Sequence, residues 1–210
     1  MPERTIEDRL REQYFDLLPH IQRAVWQLEA EIRFRTLAIL RNLKPHEQLV
    51  VKSRVKACES ALKSLRRRQE GGTFDPERLA PYSLLDLPDL AGVRVLVFPR
   101  SILNEVDGEL RSRFTGWNSD PVPDDRGALL AYKYSGKFQD VSPMVQAEYQ
   151  VVPMLIGLYW EVEHSAIYKP APTRKALKGE ADSEPLKDLN ASVVRALLNF
   201  ETEFERFVQD

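Results

Sequence analysis

The sequence predicts one α/β (α+β) domain: a mixed β-sheet flanked by helices, with a helical lobe in front and an amphipathic helix behind. Three observations predict it. Apolar residues recur at helical spacing from residue 4 to about 42. Short β-branched runs then alternate with helical stretches, and a last helical stripe closes the chain. Helices, then strands interleaved with helices, then a helix is the order expected of one layered domain. With 210 residues, 43% hydrophobic and 30% charged, the chain can close such a core without disulfides or a structural metal.

The first helix rests on Ile6, Leu10, Tyr14, Leu17, Ile21, Val25, Leu28 and Ile32, three or four residues apart. Pro19 falls inside the run and leaves two helices or one kinked helix open. Pro45 suits the first turn of a second helix, where its missing N–H costs nothing. That helix is predicted to reach about Arg68 and stop before Gly71-Gly72. Val93–Phe98, ended by Pro99, reads as a buried strand. Residues 101–114 read as a helix with Ser101 as N-cap and Ile102, Val106, Leu110 and Phe114 on one face. The Pro-, Asp- and Gly-rich stretch 115–127 reads as loop. Residues 128–134 and 145–152 read as neighbouring strands, and Pro153 opens a helix over 153–169. The last helix carries Leu189, Val193, Leu197, Phe200, Phe204 and Phe207 on one stripe. The expected organisation is a helical segment over 1–44, a core domain over 45–170, a polar linker over 171–188 and a C-terminal helix over 189–210.

Composition narrows the function classes. Thirty Lys+Arg against 32 Asp+Glu leave a net charge of -2, which argues against a uniformly basic nucleic-acid coat protein. The charge is unevenly spread: residues 41–68 hold nine Lys/Arg and two Glu, whereas residues 180–210 hold eight acids and three bases. A single cysteine, Cys58, excludes an internal disulfide framework. His20, His46 and His164 lie far apart, without the spacing of a metal site. The charged N-terminus is no secretory signal, and no window approaches 18 uncharged apolar residues. The expectation is a cytoplasmic protein without a membrane segment.

Three segments carry chemistry. On the predicted helix 49–68, Val51, Val55, Cys58, Leu62 and Leu65 form an apolar stripe. Lys56, Ser60, Lys63 and Arg67 share the opposite side, with Arg54 at the border. Such a face is either a solvated basic surface or a polyphosphate cradle, since Arg offers bidentate geometry, Lys a point charge and Ser a neutral donor. Asp89 stands in DLAGVRV directly before the first strand, where a carboxylate either caps a turn or holds Mg²⁺. Strand alternation puts Gln146, Glu148 and Gln150 on one face. A glutamate in an otherwise buried strand pairs with a base, joins Asp89 at a metal, or takes a proton from a hydroxyl.

The ordered set SRVKACES (53–60), DLAGVRV (89–95), AEYQVV (147–152) and WEVEHSAIYK (160–169) resembles the synthetase domain of RelA/SpoT-type alarmone synthetases, over residues 45 to 170. The resemblance implies a nucleotidyltransferase-like fold and Mg²⁺-dependent transfer of pyrophosphate from ATP to the 3′-hydroxyl of GDP or GTP. It implies that Arg54, Lys56 and Ser60 hold ATP, that Asp89 binds Mg²⁺, and that Glu148 binds metal or activates the hydroxyl. On the acceptor side it implies a stacking Tyr132 followed by Lys133, with Gln150 and, on the next helix, His164. No second catalytic domain is expected. The product would then be removed by a separate hydrolase, or toxicity neutralised by an antitoxin partner, and a homo-oligomer is compatible with the amphipathic flanks.

Three positions depart from the family pattern. Ser64 stands where a lysine is usual, with Lys63 and Arg66 as substitutes. Gly136 stands where the tyrosine motif reaches a histidine, and Val152-Pro153 replace an Arg-Thr pair. The first departure touches the donor side and the other two the acceptor side. Two further readings therefore stay open: a toxin-like relative whose acceptor is an adenine nucleotide or the tRNA 3′ end, and a catalytically silent nucleotide-binding module.

Overall fold

Helix α1 (Ile6–Arg35) begins at a capping box. The Asp8 N–H donates to the Thr5 hydroxyl at 3.1 Å, and the Thr5 N–H donates to the Asp8 carboxylate at 3.2 Å. In the computed structural model, which describes residues 5–69, 83–124, 127–137, 145–163 and 183–209, every residue of the predicted α1 stripe is buried. The helix runs unbroken through Pro19. The proline removes one backbone hydrogen bond, but Leu17 and Ile21 bury on either side of it. Each is worth about 1.5–3 kcal/mol, enough to hold one continuous helix against the sheet. Thr36, fully buried, returns its hydroxyl to the Ile32 carbonyl at 2.9 Å and separates α1 from the short α2 (Leu37–Asn42).

The segment predicted as one helix over 45–68 is a strand followed by a helix. Strand β1 (Gln48–Val55) pairs antiparallel with β2 (Ala91–Phe98), and α3 (Cys58–Gln69) follows after two residues. Val51 and Val55 are spaced by four, which satisfies one face of a strand as well as one face of a helix. The β-branched residues in QLVVKSRV favour the strand. Pro45 lies in the turn before it.

Four more strands complete the sheet: β3 (Asn118–Ser119), β4 (Val122–Pro123), β5 (Leu129–Lys137) and β6 (Gln146–Pro153). The order is β1-β2-β6-β5-β3, with β4 paired to β5. Only β2 and β6 run parallel, so the sheet is mixed as predicted. β3 and β4 lie inside the stretch predicted as loop; their two-residue lengths leave no alternation to read. Helix α4 (Leu103–Arg113) follows a single 3₁₀ turn at Arg100–Ile102. Its predicted apolar face is buried, but Ser101 does not cap it. Pro153 ends β6 rather than opening a helix, and α5 starts at Met154 and is described to Glu163.

The main core lies between the sheet and α1, α3 and α4, where Val93, Val95, Tyr149 and Val151 are buried. The opposite face is apolar only at one end. There Leu96, Ala131, Val152 and Ile156 meet Val194, Leu197 and Leu198 of the last helix, α6 (Ser183–Gln209). Gly157 lets α5 press on β2, because a Cβ there would collide with Leu96. Helix α6 starts at Ser183, inside the predicted linker, and docks with a rotated face. Leu189, Phe200 and Phe207 of the predicted stripe are exposed, while Glu201 is buried at its centre. Among the described residues, no helix is long and apolar enough to cross a membrane.

Candidate active site

The polar end of the sheet's second face is built by strand register. Arg54 stands opposite Gly92, Gly92 opposite Glu148, and Glu148 opposite Ser135, one row across four strands. Two residues further along, Lys52, Arg94, Gln150 and Lys133 form a second row. Side chains two apart on a strand share a face, so both rows project together. Gly92 leaves room for Arg54 to cross the sheet: a Cβ at Gly92 would lie 3.2 Å from the arginine Nε.

Lys56 and Asp89 close the end of the first row. The Lys56 N–H donates to the Leu90 carbonyl at 2.9 Å, and the Lys56 carbonyl accepts from the Tyr14 hydroxyl at 2.8 Å. These bonds hold the lysine where its ammonium pairs with Asp89 Oδ2. Both side chains are largely buried. Asp89 Oδ1 is buried as well and has no hydrogen-bond partner among the described residues.

Glu148 is 6% exposed. Burial pushes its carboxyl above the ordinary carboxylate range and the charge of Asp89 adds to this, while Lys133, Gln150 and Arg54 act the other way. Gln150 Nε2 donates to Glu148 Oε1 at 2.8 Å, and Lys133 Nζ lies 3.6 Å from Oε2. Burial works downward on Lys133, but Asp120, at 2.9 Å, and Glu148 outweigh it and hold the ammonium above its usual value. Burial and the neighbouring Arg54 lower Arg94.

The structure brings together Arg54, Lys56, Asp89, Lys133, Glu148 and Gln150. Ser60 is half-buried in the first turn of α3, and Lys63 is exposed one turn on. Arg66 is drawn off to Glu7 of α1. The helical face proposed for Lys56, Ser60, Lys63 and Arg67 does not exist as such, since Arg54 lies on β1 and Lys56 follows it; only the remainder belongs to α3. Tyr132 is a clear departure. It packs on the main core and its hydroxyl donates to Asn104 Oδ1 at 2.9 Å, so it occupies the face of β5 opposite Lys133 and Glu148. The physical cause is period-two alternation, which separates adjacent residues of a strand. His164 lies outside the described residues. Lys52, Arg94, Ser135 and Glu161 were missed. Lys52 and Arg94 sit two residues from Arg54 and Gly92, so alternation through β1 and β2 would have found them once β1 was recognised as a strand.

Two carboxylates facing each other's field, one with an orphaned oxygen, suit a hard divalent cation that takes oxygen ligands. Among the described residues no cluster of three or more metal-ligating side chains occurs. A cation here would therefore rely on water and substrate oxygens for its remaining ligands, as Mg²⁺ commonly does.

No protein-family model matches this chain, and no curated protein matches it. Solved structures match it over nearly full length. Small alarmone synthetase 1 from Bacillus subtilis, bound to AMPCPP, is 20% identical with a TM-score of 0.62, over 95% of this chain and 99% of that one. The same synthetase bound to its product pppGpp gives 19%, 0.63, and coverage of 95% and 100%. A GTP pyrophosphokinase family protein from Streptococcus pneumoniae gives 23%, 0.60, and coverage of 94% and 95%. At these identities the likeness is one of fold: this chain has the architecture of the small alarmone synthetases, flanking helices included.

Proposed function

We propose that the chain is a pyrophosphokinase that transfers the β,γ-pyrophosphoryl group of ATP to a nucleotide hydroxyl and releases AMP. One observation carries this reading. Arg54, Lys133 and Glu148 share one sheet face with the Lys56–Asp89 pair at its end, in a fold similar to that of synthetases crystallised with AMPCPP and pppGpp.

The chemistry asks for little covalent work. An attacking hydroxyl must lie in line with the β-phosphorus, and the charge on the transferred group and on departing AMP must be neutralised. Arg54 offers a bidentate fork to phosphate oxygens and Lys56 a fixed point charge. The first-turn amides of α3, with Ser60, add neutral donors. Asp89 and Glu148 would hold Mg²⁺, which supplies charge neutralisation on the phosphates. Glu148 Oε2, the oxygen not taken by Gln150 and 3.6 Å from Lys133 Nζ, either joins Asp89 at that ion or accepts the proton of the attacking hydroxyl. Its raised carboxyl makes it a stronger base than an exposed glutamate while it is ionised.

The acceptor is the finer question. GDP or GTP follows from the resemblance. A second reading, an adenine nucleotide or the tRNA 3′ end, draws support from β5. Tyr132 is turned to Asn104, and Gly136, where the family pattern has histidine, lies under Trp117, whose ring a Cβ would approach to 2.5 Å. On the Glu148 face β5 instead presents Lys133, Ser135 and Lys137. An acceptor panel with γ-labelled ATP decides between them. Label on guanine nucleotide supports the first reading, and label on adenine nucleotide or tRNA the second. ATP binding with no AMP formed from any acceptor leaves a silent nucleotide-binding module. A separate hydrolase or antitoxin, and assembly of copies through the exposed helix residues, belong to the same proposal and are tested by co-purification and by solution mass.

A further inference from the structure

Gln150 has two different ends, and only one of them can serve Glu148. Its carbonyl oxygen accepts and its amide nitrogen donates. Arg94 has no acceptor atom, so its Nε, 3.1 Å away, must meet the Gln150 oxygen. That contact turns the amide nitrogen toward Glu148 Oε1 at 2.8 Å. The orientation of Gln150 is therefore set by a residue that cannot accept. Were Arg94 to swing away, Gln150 would lose the second of its two anchors and its side chain would be free to rotate off Glu148.

Arg94 is itself held from α5. Its guanidinium lies over the Trp160 ring, 5.9 Å from the centroid, and its Nη1 is 3.9 Å from Glu161 Oε1. Glu161 in turn accepts from Lys52 Nζ at 2.9 and 3.2 Å. One connected run of side chains thus leads from α5 to the buried glutamate.

We propose that Glu161 is a positioning residue: acting through Arg94 and Gln150, it fixes the Glu148 carboxylate with one oxygen capped and the other turned to the acceptor. This rests on the role of Glu148 argued above. Glu161 touches no reacting atom; it acts on the rate by holding the residues that do. In that respect it differs from Lys133, which meets Glu148 directly.

The test compares wild type with Glu161→Gln and Glu161→Asp. Turnover is measured with ATP and the fastest acceptor among GDP, GTP, ADP, ATP and tRNA. Glu161→Gln is expected to lower kcat about tenfold, since a small misplacement of a reacting group has effects of this size or larger. The KM for ATP should stay within about twofold, melting within about 2 °C, and Glu161→Asp should recover part of kcat. In parallel, the Gln150 side-chain amide resonances are followed in ¹⁵N-labelled protein, assigned by their loss in Gln150→Ala. They should move toward the free-amide position in Glu161→Gln. Unchanged Gln150 resonances overturn the proposal. So does a Glu161→Gln enzyme with full kcat and tighter ATP binding, which would make Glu161 an anion that competes with substrate. If wild type forms no AMP with any acceptor, the proposed reaction fails, and the amide resonances still decide whether Glu161 orients Gln150.

Discussion

The two oxygens of Asp89 have different fates. Oδ2 is paired with Lys56, and Oδ1 is buried with nothing to accept from among the described residues. A purely structural ion pair gains by satisfying both oxygens, because an unsatisfied buried acceptor costs about 1–3 kcal/mol. An oxygen left open beside a second carboxylate points to a ligand. Asp89→Asn keeps the shape and leaves Lys56 an amide oxygen, so it separates loss of charge from loss of fold. AMP formation is expected to fall at least about 100-fold, while circular dichroism stays that of wild type. Tyr132 gives the opposite prediction. Tyr132→Leu removes the ring that stacking on an acceptor base needs and keeps an apolar side chain against the core; turnover of the folded protein should change by less than about threefold, and a loss of about 100-fold would return Tyr132 to the acceptor site. At single residues the chemistry of Asp89 and Glu148 left a turn cap, an ion pair or a metal ligand open, and the structure shows that the two share one polar site. Tyr132 was an acceptor residue only by resemblance, and motif order carries no information about which side of a strand a residue takes.

Elements were legible where one period held without a rival. The α1 stripe is buried throughout, and β2, β5 and β6 lie within a few residues of their predicted runs. The segment 48–69 was not legible, because the four-residue step from Val51 to Val55 fits both periods and Pro45 tipped the reading to helix. Helix α6 shows how an acidic residue hides a face. Its docked side includes Glu201, 1% exposed, and is rotated from the stripe read from the sequence: Leu197 and Phe204 of that stripe pack inward, while Leu189, Phe200 and Phe207 face outward. Burial and Glu205 push the Glu201 carboxyl up to about 7, with Arg100 and a backbone hydrogen bond from Leu155 opposing. The folded state therefore keeps a proton that the unfolded chain releases at the ordinary value of 4.5. Between those values stability falls as pH rises, by on the order of 3 kcal/mol in all, and above about 7 it falls no further from this group. Thermal melts from pH 4.5 to 8 should show this fall in wild type and lack most of it in Glu201→Gln. A parallel fall in both proteins would remove Glu201 as the cause. Gly136 makes a packing prediction on β5. Gly136→Ala drives a methyl into Trp117 and should destabilise by about 1–3 kcal/mol, and Trp117→Ala should relieve part of that loss in the double mutant.

On the scale of the whole molecule, one sheet divides the labour. Its first face builds the core with α1, α3 and α4, while its second is apolar only under α5 and α6 and polar where Arg54, Glu148 and Lys133 meet. The basic excess in residues 41–68 was visible in the sequence, but its meaning changes with the fold. Lys52, Arg54 and Lys56 reach the site from a strand and the turn after it, whereas Arg66 is bound to α1. The net charge of -2 is thus a balance between a cationic sheet face and acids elsewhere, including the C-terminal helix. The most direct measurement of the central claim is the product of wild-type protein incubated with ATP, Mg²⁺ and the acceptor panel. Expected are AMP and an acceptor carrying the transferred β,γ-pyrophosphoryl group in equal amounts, with both reduced at least about 100-fold in Asp89→Asn and Glu148→Gln. Release of ADP and orthophosphate instead, or AMP formation that survives both substitutions, would contradict it.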